Sequence, residues 1–408
     1  MADTFKPINK KERLVILDVL RGFALMGILF ANILSWSGIK FMLISDIHAL
    51  GDFSSDVLLY HLLKYFVDTK FYTIFSILFG IGFSMQITKY KDSPGFIPLY
   101  RRRLALLFVI GLIHACMWSG DILTLYALVG FVLVMFRNME TKSFLKIAIL
   151  LLIVPMVADI IYMLTFAPRI ESMPKIALKV YPDIYPTEVV GSFQSGEFFP
   201  TLKMNLHNLV WRWFDFIPSG RPFKVLALFM LGFYFYKVNF FSDFGAKWRN
   251  FFILFIIGFI FTSISIELGG SIAVFSKDWG NVLYKVLHEI GQFGLAISYM
   301  VLLNLLVRKF PNFFVWYLLK NYGRMSLTSY IGQTVIGIIV FYPLIAFGYF
   351  ARLSLTDVYF VALYILAFQI IFSILWLKYF AFGPIEYLWR CAIYKKWFPL
   401  IIKKEKKV

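Results

Sequence analysis

Ten apolar stretches, each near the length needed to cross a bilayer, follow one another down this chain. They run at roughly 14–36, 70–88, 104–118, 121–136, 147–167, 222–237, 250–268, 281–307, 324–348 and 357–379. A hydrocarbon core about 30 Å thick takes about 20 apolar residues in helical form. Inside lipid the backbone must satisfy its own hydrogen bonds, and for segments of this length that means helices. At 60% hydrophobic and only 16% charged residues, the composition is too apolar for a soluble domain. The expected fold is therefore all-α: a polytopic integral membrane protein with about ten transmembrane helices in one domain, 1–408. Around them lie a tail at 1–13, an extracytoplasmic segment at 168–220 and an amphipathic tail at 381–408.

A formal net charge of +18 would suggest nucleic acid in a soluble chain, but here the position of the charge decides its meaning. Roughly two in three of the 41 Lys and Arg fall between spans on the side that holds both termini. That asymmetry predicts a multi-pass plasma-membrane protein with both termini cytoplasmic, and it excludes nucleic acid as the expected partner. Asp18 and Arg21 break the front of the first stretch, which reads as a retained span rather than a cleaved signal. Cys116 and Cys391 fall on opposite sides of the membrane, so no disulfide is expected between them. The five histidines show no metal-ligand spacing, and the expected metal set is empty.

Ionisable groups inside a span persist where they pair, face a polar cavity or do chemistry. Asp18 and Arg21 stand at i, i+3 and can meet on one helix face, as a structural pair or as part of a ligand site. Farther on, RRRLALLFVIGLIHACMWSGDILTLYALVG sets Arg101, Arg102 and Arg103 at one end of a span, His114 deep within it, and Gly120 and Asp121 at the far turn. A helix continuing through Gly120 would align Asp121 with His114, and a turn there would fold it back. Either arrangement lets a carboxylate fix the imidazole for general-base work. The alternative is a buried histidine bonded to a neighbouring helix. In KNYGRMSLTSYIGQT, Arg324 reads as the start of a helix, where a cation opposes the dipole and calls for an anion.

Two segments outside the spans carry further candidates. The loop 37–69 collects Asp46, His48, Asp52, Asp56, His61 and Asp68, as helix caps or, for His48, as a base folded over a cavity. Trp211, Trp213 and Phe214 beside Arg212 and Asp215 mark either an interfacial helix or a lid over a site on the outer face. After the last span, Glu386 and Arg390 form an i, i+4 pair in a tail that alternates aromatics with Lys and Arg.

Taken in order, LDxxRGxAxxGILxxN, KFxxxFSxLFGxG, RRLxxLxxxGxxHxxxxxGDILxxY, GRMxLTxY and FGPxExLWR resemble the YeiB-like (DUF418) membrane proteins over Arg13 to Arg390. That family looks like a distant branch of the transmembrane acyltransferase superfamily, whose members pass an acyl group from cytoplasmic acyl-CoA to a sugar across the membrane by means of a histidine. The resemblance implies a transmembrane-acyltransferase-like bundle. Where the polysaccharide O-acyltransferases carry a first-span histidine, this chain has Asn32. The heparan N-acetyltransferase is similar in having Asn there and places its histidine in the next loop, a place for which His48 is the counterpart. His114 belongs to the motif of this family itself.

Two readings follow. In the first, Asp18, Arg21, Arg102, Arg103 and Arg324 make a mouth for acyl-CoA, acetyl-CoA being the simplest donor. His114, oriented by Asp121 or replaced by His48, deprotonates a glycan or lipid-linked acceptor while Asn32 steadies the oxyanion. In the second, the protein is a non-enzymatic transporter, flippase or lipid binder, with the arginines on a head group and the His–Asp pair as a proton relay. Membrane lipids and a second copy in a homodimer are the remaining expected partners.

Overall fold

The computed structural model describes residues 14–402 apart from 52, 91–92, 94, 167–185, 217–218 and 270–278. The expected tail at 1–13, most of the proline-bearing part of 168–220 and the last residues of 381–408 lie outside the described residues. Among the described residues there are sixteen α-helices. They are α1 Val15–Trp36, α2 Ile44–His48, α3 Phe53–Phe66, α4 Lys70–Tyr90, α5 Phe96–Met117 and α6 Leu123–Met135. Next come α7 Thr141–Phe166, α8 Pro186–Gln194, α9 Phe198–Phe216, α10 Arg221–Lys237 and α11 Trp248–Glu267. The chain continues through α12 Trp279–Lys309, α13 Phe314–Arg324, α14 Ser326–Phe341, α15 Leu355–Tyr379 and α16 Pro384–Tyr394.

The fold is all-α, and among the described residues six helical stretches, one of them running through α3 and α4, are long and apolar enough to cross a membrane, seven if α13 and α14 count as one broken span. Each of the ten expected stretches coincides with a helix or with that bent pair, but α6 has only 13 residues and α10 only 17. Burial separates centre from periphery. In α1 and α12 61% of the apolar window is covered by protein, against 11% in α7 and 28% in α11. Apolar side chains left uncovered on α7 and α11 form the surface that suits lipid.

The centre is set by a close crossing of α1 with α13. A Cβ added at Gly22 would collide with the Leu319 carbonyl, and one at Gly323 with the Asp18 carbonyl. Small residues at a helix crossing let backbones touch and multiply dispersion contacts, the main attraction available between helices in lipid. The chain then turns by 82° between α13 and α14. Met325, at φ −108° and ψ 35°, is the non-helical residue at the break. Arg324 is thus the last residue of α13, which corrects the expectation that it opens a helix. A cation at a helix C-terminus complements the dipole instead of opposing it.

Gly323→Leu should force α1 and α13 apart at a cost of about 1–3 kcal/mol. The thermal midpoint of the detergent-solubilised protein should fall accordingly. An unchanged midpoint would contradict the crossing.

Candidate functional site

One cavity of about 1300 Å³ runs between the helices. Its lining on α1 comprises Arg21, Ile28, Ala31, Asn32 and Ser35, together with Leu17 and the preceding Leu14, which all fall on one helical face. From Leu14 to Ser35 the helix rises about 32 Å, close to the thickness of a hydrocarbon core. The end near Arg21 is called basal below, and the end near Ser35 distal.

Arginines from four separate parts of the chain line the basal end: Arg21, Arg103, Arg324 and Arg390. Arg21 Nη1 lies 2.8 Å from Oδ1 of fully buried Asp18, so the expected i, i+3 pair forms. Arg103 donates to Gln86 Oε1 at 3.3 Å and stacks 4.5 Å over the Trp389 ring. Arg102 turns away from the lining and donates to the Ile393 carbonyl at 3.1 Å.

The tail helix α16 is part of this site. Glu386, Trp389, Arg390, Ile393 and Tyr394 present one face of α16 to the cavity and form its basal wall. Glu386 accepts from the Leu327 amide at 2.6 Å and the Thr328 amide at 3.0 Å, and from the Thr328 hydroxyl. It thereby satisfies the open first turn of α14, where a helix leaves its amides without partners. Trp389 Nε1 donates to the Arg103 carbonyl at 3.2 Å, which fastens the other end of α16 to α5. Burial pushes the Glu386 carboxyl above the usual carboxylate range, against the opposing pull of its Thr328 and Leu327 hydrogen bonds.

Asn32, Ser35, Trp118 and Ser119 line the distal end, with Lys40, Asp68 and Arg221 also on the lining. Helix α9 contributes Asn208, Trp211 and Arg212 to the lining. Asn205 fastens it to the end of α5, donating to the Ala115 and Cys116 carbonyls at 3.2 and 2.9 Å and accepting from the Ser119 amide at 2.7 Å. Both Cys116 and Cys391 are free thiols.

His114 and Asp121 meet through the turn at Ser119–Gly120, with Nδ1 2.8 Å from Asp121 Oδ1. The carboxylate calls for a proton on Nδ1, and the other ring nitrogen, Nε2, is hydrogen-bonded to the Thr334 hydroxyl at 2.8 Å. Asp121 also accepts from the Leu123 and Thr124 amides at the start of α6. Neither His114 nor Asp121 lines the cavity, and His114 is 1% exposed. The rings of Trp118 and Tyr330, at 5.9 and 5.1 Å, stand between the imidazole and the lumen. His48 is exposed on α2 and is also absent from the lining. Asp56 is a cap, accepting from the Thr356 amide and hydroxyl at 3.0 and 2.7 Å.

The structure thus gathers Arg21, Arg103, Arg324 and Asn32 on one cavity and leaves Arg102, His114, Asp121 and His48 off its surface. Sequence reading had paired Glu386 with Arg390, and it overlooked the cluster of Lys224, Glu289 and Gln292. The signal for that cluster was present, in a lysine and a glutamate inside apolar stretches 65 residues apart.

Residues 235–396 match the family model described as "Protein of unknown function (DUF418)". The "Uncharacterized protein YxaH" of Bacillus subtilis (strain 168) is 29% identical over 99% of each chain. The "Uncharacterized protein YeiB" of Escherichia coli (strain K12) is 28% identical over 93% of this chain and 96% of its own. The chain is thus similar to DUF418/YeiB-like proteins, through the family model over residues 235–396 and through relatives along nearly its whole length. A further relative, the "Uncharacterized 39.9 kDa protein in amylase 3'region" of Bacillus acidopullulyticus, is 29% identical over 98% of this chain and 99% of its own. No solved structure matches. Among the described residues, no group of three or more His, Cys, Asp and Glu is arranged to hold a metal ion.

The pH behaviour of the α16 clamp follows from Glu386. A carboxyl raised in the folded state stabilises the fold below its ordinary range and loses that contribution as pH climbs through the raised value. The stability of the native protein should therefore fall relative to Glu386→Gln across that interval. Thermal midpoints measured from acidic to neutral pH would check this, and parallel curves for the two proteins would refute it.

Proposed function

We propose that this protein is a membrane-embedded acyltransferase, taking an acyl group from cytoplasmic acyl-CoA and delivering it to a glycan or lipid-linked acceptor at the opposite face. The observation that carries this reading is the cavity itself, which joins four arginines at one end to a polar chamber at the other. Its volume of about 1300 Å³ exceeds that of ordinary small-molecule pockets and suits a long, phosphate-bearing donor. The distribution of Lys and Arg makes the basal end cytoplasmic, with ten crossings and both termini on that side.

In this reading Arg21, Arg103, Arg324 and Arg390 hold the donor phosphates through charge-assisted hydrogen bonds. The thioester arm lies along α1, and the Asn32 side-chain amide donates to the carbonyl oxygen as negative charge develops. The acceptor hydroxyl or amine attacks the thioester carbon, the C–S bond breaks, and coenzyme A leaves toward the cytoplasm. His114 and Asp121 hold Tyr330 and Trp118 in place from behind the wall. Because His114 has both ring nitrogens engaged, the same cavity also supports a second reading, passage of an anionic lipid without chemistry.

Coenzyme A and acetyl-CoA should bind the purified protein in calorimetry. Arg21→Gln with Arg324→Gln should weaken both by at least about tenfold, since each lost charged contact is worth roughly 1.5–3 kcal/mol. Incubation with radiolabelled acetyl-CoA and extracted membrane glycolipids should yield labelled product. Absence of coenzyme A binding would end the acyl-transfer reading, and binding of anionic lipid alone would support the second.

A further inference from the structure

Behind the cavity wall, α4, α10 and α12 enclose a polar cluster. Lys224, buried in the first turn of α10, has Nζ 2.7 Å from both Glu289 oxygens and donates to Gln292 Oε1 at 3.0 Å. It also hydrogen-bonds the side chain of Tyr72, with Nζ 5.1 Å from the ring centroid. His288 and Gln292 are both more than nine-tenths buried, and the Nε2 atom of each has no hydrogen-bond partner. His288, Glu289 and Gln292 share one arc of α12. Lys224, His288, Glu289 and Gln292 are all absent from the cavity lining, whereas Tyr72 is part of it.

A buried ion pair is a costly way to join two helices, because apolar side chains of similar size hold at least as well. Ionisable groups at such depth mark proton or ion pathways. Tyr72 is the side chain that touches both Lys224 and the cavity, and a proton passes along such a contact without needing room. We propose that Lys224 and Glu289 form a proton-transfer site that serves the cavity through Tyr72.

In surroundings of low dielectric the charged pair and the neutral pair are separated by one proton hop across the 2.7 Å contact. Once Lys224 has given its proton to Glu289, its neutral amine is a base against the Tyr72 phenol. During acyl transfer the acceptor proton passes to the Tyr72 oxygen while the Tyr72 proton passes to Lys224. The acceptor oxygen or nitrogen bonds to the acyl carbon, the C–S bond breaks, and the thiolate takes a proton from cytoplasmic water. His288, stacked 5.3 Å from the Tyr284 ring, offers Nε2 as the next acceptor toward the distal face. The other charges facing the cluster are Lys70 at the start of α4, Asp68 in the turn before it, Lys64 of α3 and Arg221 of α10. Use of this site in catalysis rests on the acyl-transfer reading, but the proton hop itself does not.

Infrared difference spectra of the protein in nanodiscs, recorded after transfer from light to heavy water, test the site without any ligand. A protonated-carboxyl band should appear in wild type and persist in Glu386→Gln, and in that Glu386→Gln background Glu289→Gln should abolish it. If Glu289→Gln does not fold, the paired replacement of Lys224 and Glu289 by Met takes its place. Tyr72→Phe should keep the band but slow its deuterium shift by at least about an order of magnitude. A missing band in wild type, a band that survives loss of Glu289, or an exchange rate unchanged in Tyr72→Phe would overturn the proposal. If the band behaves as stated while coenzyme A fails to bind, the acyl-transfer reading falls and the proton site remains.

Discussion

The contact between α1 and α13 is the constraint on which the cavity depends. Gly22 follows Arg21 in the chain and Gly323 precedes Arg324, so the crossing that presses two backbones together also sets two guanidiniums at one level. A Cβ at Gly323 would come within 3.1 Å of Arg21 Cβ, which shows how directly the two features are joined. Helices in lipid gain little from burying apolar surface against each other, so close packing has to supply the attraction. Here the packing and the charge come from the same four residues. Asp18, on the same face of α1, offsets one of the two charges.

Much of the fold was readable because membrane helices announce themselves by length and apolarity. All ten stretches correspond to helices or to the bent pair, and Asp18 with Arg21 is a local pair that spacing alone reveals. The break at Met325 was not readable, because nothing in RMSLT distinguishes a kinked span from a helix start without the neighbouring elements. The place of helix α16 was not readable for a related reason. Its apolar face and its Lys and Arg fit a membrane surface as well as a protein wall, and only its contacts with α5 and α14 tell the two apart.

The site was legible in its local parts and obscure in its depth. The pairing of His114 with Asp121 follows from seven residues of sequence and a turn. Whether that pair faces a lumen is decided by Tyr330 and Thr334, which arrive from more than two hundred residues away. The same holds for Lys224 and Glu289, which lie on different helices and become partners only through packing. Pattern within a span reports which residues are unusual. The fold decides which of them a ligand can touch.

The polarity of the bent pair explains why the basal mouth gathers cations rather than acids. Helix α13 ends there with Arg324, and α14 begins there with amides that have no partners within their own helix. The first turn of α14 favours negative charge, and Glu386 supplies it from α16. That carboxylate is therefore spent on backbone donors and on Thr328 rather than on the arginines beside it. Arg21, Arg103, Arg324 and Arg390 line a mouth at which the carboxylate of Glu386 is held by α14 and that of Asp18 is paired with Arg21. The break in the span, the capping of α14 and the cationic mouth are thus consequences of one another.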